Sequence, residues 1–308
     1  MKILITGGTG FLGTNLYQWI RRNHPEVEVS IASRRTGTDI RDFEQVKKVI
    51  KGQDYVIHCA AQTHVDYSLH NDLEDQLNFV DTNVKGTLHV IKACQKYGVK
   101  MIHISSSEVY GTNQYESLPK VKGIAMSENH PLGAQAGIYA TTKACADLTC
   151  RMETTTNGAN IVILRPFNFW GPGQSMEKFI PRLIDQGMNK QPLTIYGDGL
   201  QKRDYLYIQD ACEAIWKVLE VFPTGETYNI ATSTPVTILS VAKIIADYFH
   251  VPIIHVEPRP GEVRELCGDY TKLKSLTGWE PSKLITKDSL TNLIGWYKEN
   301  GLIIQPVL

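Results

Sequence analysis

Three short stretches of this sequence carry groups suited to chemistry. "SSSEVYG", Ser105–Gly111, sets a carboxylate, Glu108, behind a serine run that closes the apolar segment "MIHI". An acid at that point is either a solvated turn residue or a proton-transfer group. "YATTK" sets Tyr139 and Lys143 four residues apart, so on a helix their phenol and ammonium share one face. "TGGTGFLG" spaces Gly7, Gly10 and Gly13 around Thr9, Phe11 and Leu12. Such glycines permit a tight turn and a close backbone approach to pyrophosphate, and a helix starting there adds N–H donors and a positive dipole end. The Tyr–Lys spacing alone selects little, because "YTKLK" repeats it at Tyr270 and Lys274 in a chain with 14 tyrosines. Position separates the two pairs. The first opens a helical stretch downstream of the serine run, and the second falls late in the chain, where it reads as a surface helix pair.

Elements must hold these groups together. "KILIT" (Lys2–Thr6), "VEVSIA" (Val27–Ala32), "DYVIHCAA" (Asp54–Ala61), "MIHISS" (Met101–Ser106) and "NIVILRP" (Asn160–Pro166) are short, rich in Val and Ile, and bounded by Gly, Asp or Ser. Strands buried on both faces look like this. Between them run helical periodicities at Phe11–Arg22, Phe43–Ile50, Val84–Tyr97 and Tyr139–Thr155. Strand–helix alternation predicts right-handed crossovers and a Rossmann-type, doubly wound parallel α/β sheet. After Pro166 the chain turns to loops rich in Gly, Pro, Arg and aromatics, with short helices at Phe179–Gln186 and Ile238–Phe249. "ETYNIAT" (Glu226–Thr232) reads as a return to the sheet. The predicted division is a cofactor domain of residues 1–166 and 204–232, and a smaller, discontinuous α/β substrate lobe of residues 167–203 and 233–308.

The spacing G-x-x-G-x-x-G, with a strand before it and a helix after it, resembles the short-chain dehydrogenase/reductase superfamily, whose extended branch acts on sugar nucleotides. In dinucleotide folds an acid some twenty residues beyond the glycines holds a ribose 2′-hydroxyl. Here "SIASRRTG" places no acid there, and Ser33, Arg34 and Arg35 could surround a 2′-phosphate. The expected cofactor is NADP, with NAD as the alternative. "DIRD" resembles the family's adenine-pocket segment, with Asp39 near the adenine amino group and Ile40 against the ring. In "HCAA", Ala60 and Ala61 stand where the family's small residues let the cofactor lie close.

The resemblance runs from "TGGTGFLG" through "GWEP" (Gly278–Pro281), by way of "TNVKGT", "SSSEVYG", "YATTK", "RPFNFWGPGQ", "LTIYGDGLQKRDYLYIQD" and "RPGE". It points to the NAD-dependent epimerase/dehydratase family and, within it, to nucleotide-sugar 4,6-dehydratases acting on GlcNAc nucleotides, GDP-mannose or dTDP-glucose. The resemblance implies that Tyr139, helped by Ser106 and Lys143, takes the sugar 4-hydroxyl proton as hydride leaves carbon 4. Glu108 then removes the carbon 5 proton, water leaves carbon 6, and hydride returns to carbon 6. Relatives that only epimerise usually carry a small residue at the Glu108 position. The dTDP-glucose enzymes keep an Asp where this chain has Ser107, so Glu108 is expected to serve as both base and acid. Asn168 and Arg203 match positions near the substrate's diphosphate, and Arg259 in "RPGE" with Arg264 after it would add a further guanidinium, since guanidinium forks suit phosphate oxygens.

Rival readings are a nucleotide-sugar 4-epimerase, a UDP-glucuronate decarboxylase and a non-catalytic cofactor-sensing protein. The decarboxylases typically carry an Arg after "GP", where this chain reads "GPGQ". Cofactor sensors commonly lose the Tyr or the Lys, and both are present.

Composition excludes other classes. Lys+Arg and Asp+Glu are each 32 in 308 residues, so no global charge attracts nucleic acid or an anionic membrane. The six cysteines form no CxxC and no metal-ligand spacing, and His64 with Asp66 reads as a polar loop pair. No apolar run approaches a signal peptide or a membrane span. A cytoplasmic enzyme without a metal is expected. Family habit adds a homodimer packed through Val84–Tyr97 and Tyr139–Thr155.

Overall fold

The structure, a computed structural model, describes residues 1–63, 72–111, 125–133, 137–259 and 263–301. The chain opens with β1 (Lys2–Thr6), α1 (Phe11–Asn23), β2 (Glu28–Ala32), α2 (Phe43–Ile50), β3 (Tyr55–His58), α3 (Leu73–Phe79), α4 (Gly86–Tyr97), β4 (Lys100–Ile104), α5 (Ile138–Asn157) and β5 (Ile161–Pro166). It continues through β6 (Asn168–Trp170), α6 (Phe179–Met188), β7 (Leu193–Tyr196), β8 (Lys202–Arg203), β9 (Tyr205–Tyr207) and α7 (Ile208–Val221). Then come β10 (Thr227–Ile230), β11 (Val236–Thr237), α8 (Ile238–Phe249), β12 (Ile253–Val256), β13 (Glu265–Leu266), α9 (Thr271–Thr277) and α10 (Lys287–Asn300). The pair His64 and Asp66 lies outside the described residues.

Six strands form the central sheet in the order β2-β1-β3-β4-β5-β10, every pairing parallel. The order reverses between β1 and β3, and a crevice for ligands opens at such a switch point, beyond the carboxyl ends of the strands. One face of the sheet packs on α1 and α7 through Leu16, Ile20, Ile215 and Leu219. The other packs on α2 and α4 through Val46, Ile50, Val90 and Ile91. Both faces are thereby apolar, which is why β5 is buried at all six positions.

The helix expected over Val84–Tyr97 divides. Residues Val80–Lys85 form a π-helical turn, and α4 proper begins at Gly86. Two contacts account for the wider turn. The Asn83 amide accepts from the Gln62 backbone N–H at 2.7 Å and donates to the Thr142 hydroxyl at 3.0 Å. At Gly86 a Cβ would come within 2.6 Å of the Ile40 side chain, so any larger residue there would push Ile40 aside. A π-turn placed beside a ligand crevice is a recurrent association.

The second lobe has its own core, Leu183, Ile184, Val241, Ile245, Leu290 and Ile294 among its residues, packed over β7. The buried Asp204 carboxylate joins it to the sheet. It accepts from the Thr232 N–H at 2.9 Å, the Thr232 hydroxyl at 2.6 Å, the Ser233 N–H at 3.0 Å and the Gly268 N–H at 3.1 Å. Among the described residues no helix is long and apolar enough to cross a membrane, and no cluster of His, Cys, Asp or Glu could hold a metal ion. The six cysteines are free thiols.

Candidate active site

One cavity of about 650 Å³ runs along the carboxyl ends of the strands. Its nucleotide end is backbone. Gly7 sits at φ +68°, and a Cβ there would meet Ala60 at 2.7 Å. A Cβ at Gly13 would meet the Gly7 carbonyl at 2.4 Å, so neither position tolerates a side chain. Gly10 caps α1 without any side-chain hydrogen bond, which leaves the first-turn N–H groups for an anionic ligand. Thr9, Phe11, Leu12, Ser33, Arg34, Arg35, Asp39, Ile40, Ala60 and Ala61 all line the same cavity. These residues fit a dinucleotide: a side-chain-free cradle for pyrophosphate, small residues beneath it, and cations at the end of β2.

Two of the expected contacts there are internally engaged. Ser33 and Thr36 bond reciprocally, with the Ser33 N–H donating to the Thr36 hydroxyl at 2.8 Å, and this turn presents Arg34 and Arg35 to solvent. Asp39 is gripped by Arg41, which donates to its carboxylate at 2.6 to 3.0 Å and holds its pKa below the usual range.

At the other end the serine run turns sharply. Ser106 caps the 3-10 turn Ser107–Tyr110, its hydroxyl accepting from the Glu108 N–H at 3.2 Å, and Gly111 closes the turn at φ +69°. Tyr139 and Lys143 share the inner face of α5, and both line the cavity with Ser106, Ser107 and Glu108. The Lys143 ammonium donates to the Ile104 carbonyl at 2.5 Å, which docks α5 against the end of β4. Burial brings that ammonium down to about 8. Burial pushes the Tyr139 phenol up to about 12, while its hydrogen bond with Ser106 pulls it down and the Glu108 charge adds to the rise. Burial also raises the Glu108 carboxyl, opposed through space by Arg203 and Lys178. A carboxylate so placed is a stronger base than one in water.

The structure brings Asn168 to the same cavity, whereas Arg203, Arg259 and Arg264 are not among its lining residues. Arg203 donates to the Lys202 and Val263 carbonyls at 2.9 and 2.7 Å, yet its charge reaches Glu108. Arg259 lies 4.2 Å over the Tyr196 ring. Arg264 forms a two-pronged pair with Asp198 at 2.9 and 2.6 Å. Tyr270 and Lys274 stay far from this chemistry: Tyr270 precedes α9 and packs edge-on against Trp279, while Lys274 pairs with Glu280. Sequence reasoning passed over Lys178, which lines the cavity and donates to the Thr63 carbonyl at 3.1 Å. It also passed over the buried pair of Asp147 and Arg165. A signal for the latter was present, since Asp147 follows Lys143 by one helical turn.

A dinucleotide cradle joined to a Ser–Tyr–Lys centre on a doubly wound sheet defines a short-chain dehydrogenase/reductase of the extended type. Residues 3–231 match the NAD dependent epimerase/dehydratase family, and the chain belongs to it. It is 30% identical to the dTDP-glucose 4,6-dehydratase of Mycobacterium tuberculosis, over 97% of this chain and 94% of that protein. The same enzyme from Streptomyces niveus is 31% identical, over 100% of this chain and 96% of the other. Among solved structures, the dTDP-glucose 4,6-dehydratase of Streptomyces venezuelae with NAD bound superposes with a TM-score of 0.88 at 28% identity, covering 97% of this chain and 98% of that one. The UDP-glucuronic acid 4-epimerase of Bacillus cereus, in complex with UDP-glucuronic acid and NAD, gives 0.83 at 27%, over 97% and 100%.

Proposed function

We propose that the protein is a nucleotide-sugar 4,6-dehydratase that converts a nucleoside-diphosphate hexose into its 4-keto-6-deoxy derivative. When bound, the dinucleotide supplies the hydride acceptor and later the donor. Ser106 orients the sugar 4-hydroxyl, and Tyr139 takes its proton as hydride leaves carbon 4, in the phenolate form that the Lys143 ammonium one turn along α5 favours against the rise caused by burial. The new 4-ketone acidifies carbon 5, whose proton Glu108 removes. Glu108 then gives that proton to the hydroxyl leaving carbon 6, so that water departs and Ser107 need not be an acid. Hydride returns at carbon 6 and a proton returns at carbon 5, which balances the proton left on Tyr139. The observation that carries this reading is Glu108, a carboxylate raised by burial in the cavity that also holds Ser106, Tyr139 and Lys143. A 4-epimerase needs no such base.

Residues 1–166 and 204–232 would hold the dinucleotide, and residues 167–203 and 233–308 the sugar nucleotide, with Asn168, Arg203 and Arg259 toward its diphosphate. The preferred dinucleotide is NADP: no acid ends β2, and Ser33, Arg34 and Arg35 line the cavity there. Incubation with UDP-, GDP-, dTDP- and CDP-hexoses, in parallel arms with NAD and NADP, tests both statements. A 4-keto chromophore in alkali is expected with one sugar nucleotide. Epimerised product without it would reject the dehydratase, and tighter binding of NAD would reject the cofactor preference. A homodimer through α4 and α5 is supported by Leu148 and Met152, one turn apart on α5 and 52% and 44% exposed. Sedimentation as a monomer at micromolar concentration would refute it.

A further inference from the structure

We propose that the buried pair Asp147–Arg165 is a positioning device that holds the elimination base, Glu108, in register with the oxidation pair, Tyr139 and Lys143. Arg165 Nε and Nη2 donate to the two oxygens of Asp147 at 2.9 and 2.8 Å, and both side chains are wholly buried. The pair grips both ends of the catalytic turn. At the first end the Ser105 hydroxyl donates to Asp147 Oδ2 at 2.7 Å. At the other, Arg165 Nη1 donates to the Tyr110 hydroxyl at 3.1 Å, and that hydroxyl donates to Asn229 Oδ1 at 2.6 Å. Ser106, Ser107 and Glu108 lie between these two anchors. Asp147 itself follows Tyr139 and Lys143 at intervals of four residues along α5, so the three form one stripe. The groups for oxidation and the group for elimination are therefore referenced to a single ion pair.

Stability alone is a poor reason to keep such a pair. Desolvating two charges costs about as much as their attraction returns, and apolar residues of similar volume would often hold the core as well. A planar guanidinium fork offers direction instead: one edge faces α5 and the other faces the turn. Asn229 extends the same reference to the segment beyond Gly111, with its amide donating to the Met126 carbonyl at 2.7 Å and its N–H to Glu128 Oε1 at 2.7 Å.

This inference rests on the dehydratase reading, and two substitutions test it without stranding a buried charge. Tyr110→Phe and Ser105→Ala each cut one anchor and leave Asp147 paired with Arg165. Each is expected to lower kcat about tenfold or more, the scale of a small misplacement, with KM for the sugar nucleotide little changed. Oxidation persists while elimination slows, so reduced dinucleotide is expected to accumulate during turnover. Amide exchange should rise over residues 105–111, including the Gly111 N–H bonded to the Glu108 carbonyl, and stay unchanged over α5. The exchange measurement uses no sugar, so it stands whether or not the wild-type enzyme forms a 4-ketone, which tests the dehydratase reading separately. If either folded variant keeps wild-type kcat, or loses rate with no reduced dinucleotide and no change in exchange, the positioning role is wrong.

Discussion

Glu108 and Asp147 are two acids beside the same helix, the first half-buried in the cavity wall and the second wholly buried, and they differ in what surrounds them. Asp147 receives three hydrogen bonds, two from Arg165 and one from Ser105, and its charge is fixed in place. Glu108 is influenced by Arg203 and Lys178 through space rather than through a hydrogen bond, and burial raises its pKa. The more deeply buried acid is the one held by hydrogen bonds, so burial by itself does not make a carboxylate reactive. A partner in hydrogen-bonding contact turns a carboxylate into a fixture, whereas one that lines a cavity and feels cations only through space stays able to take and return a proton. Glu108 stands only three residues after Ser105, whose hydroxyl bonds to Asp147.

The sharpest way to break this contrast is to neutralise each side in turn. Glu108→Gln keeps the shape and removes the base, and turnover should fall by about 10² to 10⁴. Dinucleotide affinity should hold, and thermal stability at neutral pH should hold or rise. The sign follows from the raised pKa: an acid with a raised folded pKa opposes folding once it is ionised, and Gln cannot ionise. Full dehydratase activity in this variant would end its assignment. Arg165→Met should behave in the opposite way, with a loss of about 3–5 kcal/mol in urea unfolding from the stranded Asp147 charge. The double substitution Asp147→Leu/Arg165→Met should recover most of that stability. A single variant as stable as the wild type would place Asp147 with Glu108 rather than against it.

What could be read from the sequence followed the same division. The strands and helices that carry the site were legible because burial on both faces of the sheet imposes Val/Ile runs with glycine or polar boundaries, and α2 and α8 match their predicted spans at both ends. That Glu108, Tyr139 and Lys143 meet in one cavity was legible from the order of "SSSEVYG" and "YATTK" along the chain and their resemblance to the family's motifs, since the Tyr–Lys spacing alone selects little. The π-turn at Val80–Lys85 was not, since it arises from Asn83 reaching Gln62 and Thr142, contacts that no local period encodes. Nor was the engagement of Arg264 by Asp198, 66 residues earlier in the chain. Lys178 was passed over for the same reason: only the fold brings it to Thr63 and within electrostatic reach of Glu108.

Lys178 offers the finest adjustment of the contrast. Its charge lowers the Glu108 pKa, after Arg203, against the larger rise caused by burial. Glu108 acts as a base only when ionised, so kcat should fall on the acid side as pH drops through its pKa. That limb should lie at higher pH than an ordinary carboxylate would give. Lys178→Met removes a cation and lets burial act with less opposition, so the Glu108 pKa rises and the acid limb moves to higher pH. The rate well above that limb should change least, because the ionised base is then present in both proteins. A pH–rate profile of wild type and variant decides the matter, and an acid limb that stays in place or moves to lower pH would show that Lys178 does not tune Glu108. Of the three expected effects this is the smallest, because it alters how readily the base ionises while leaving the base and its positioning in place.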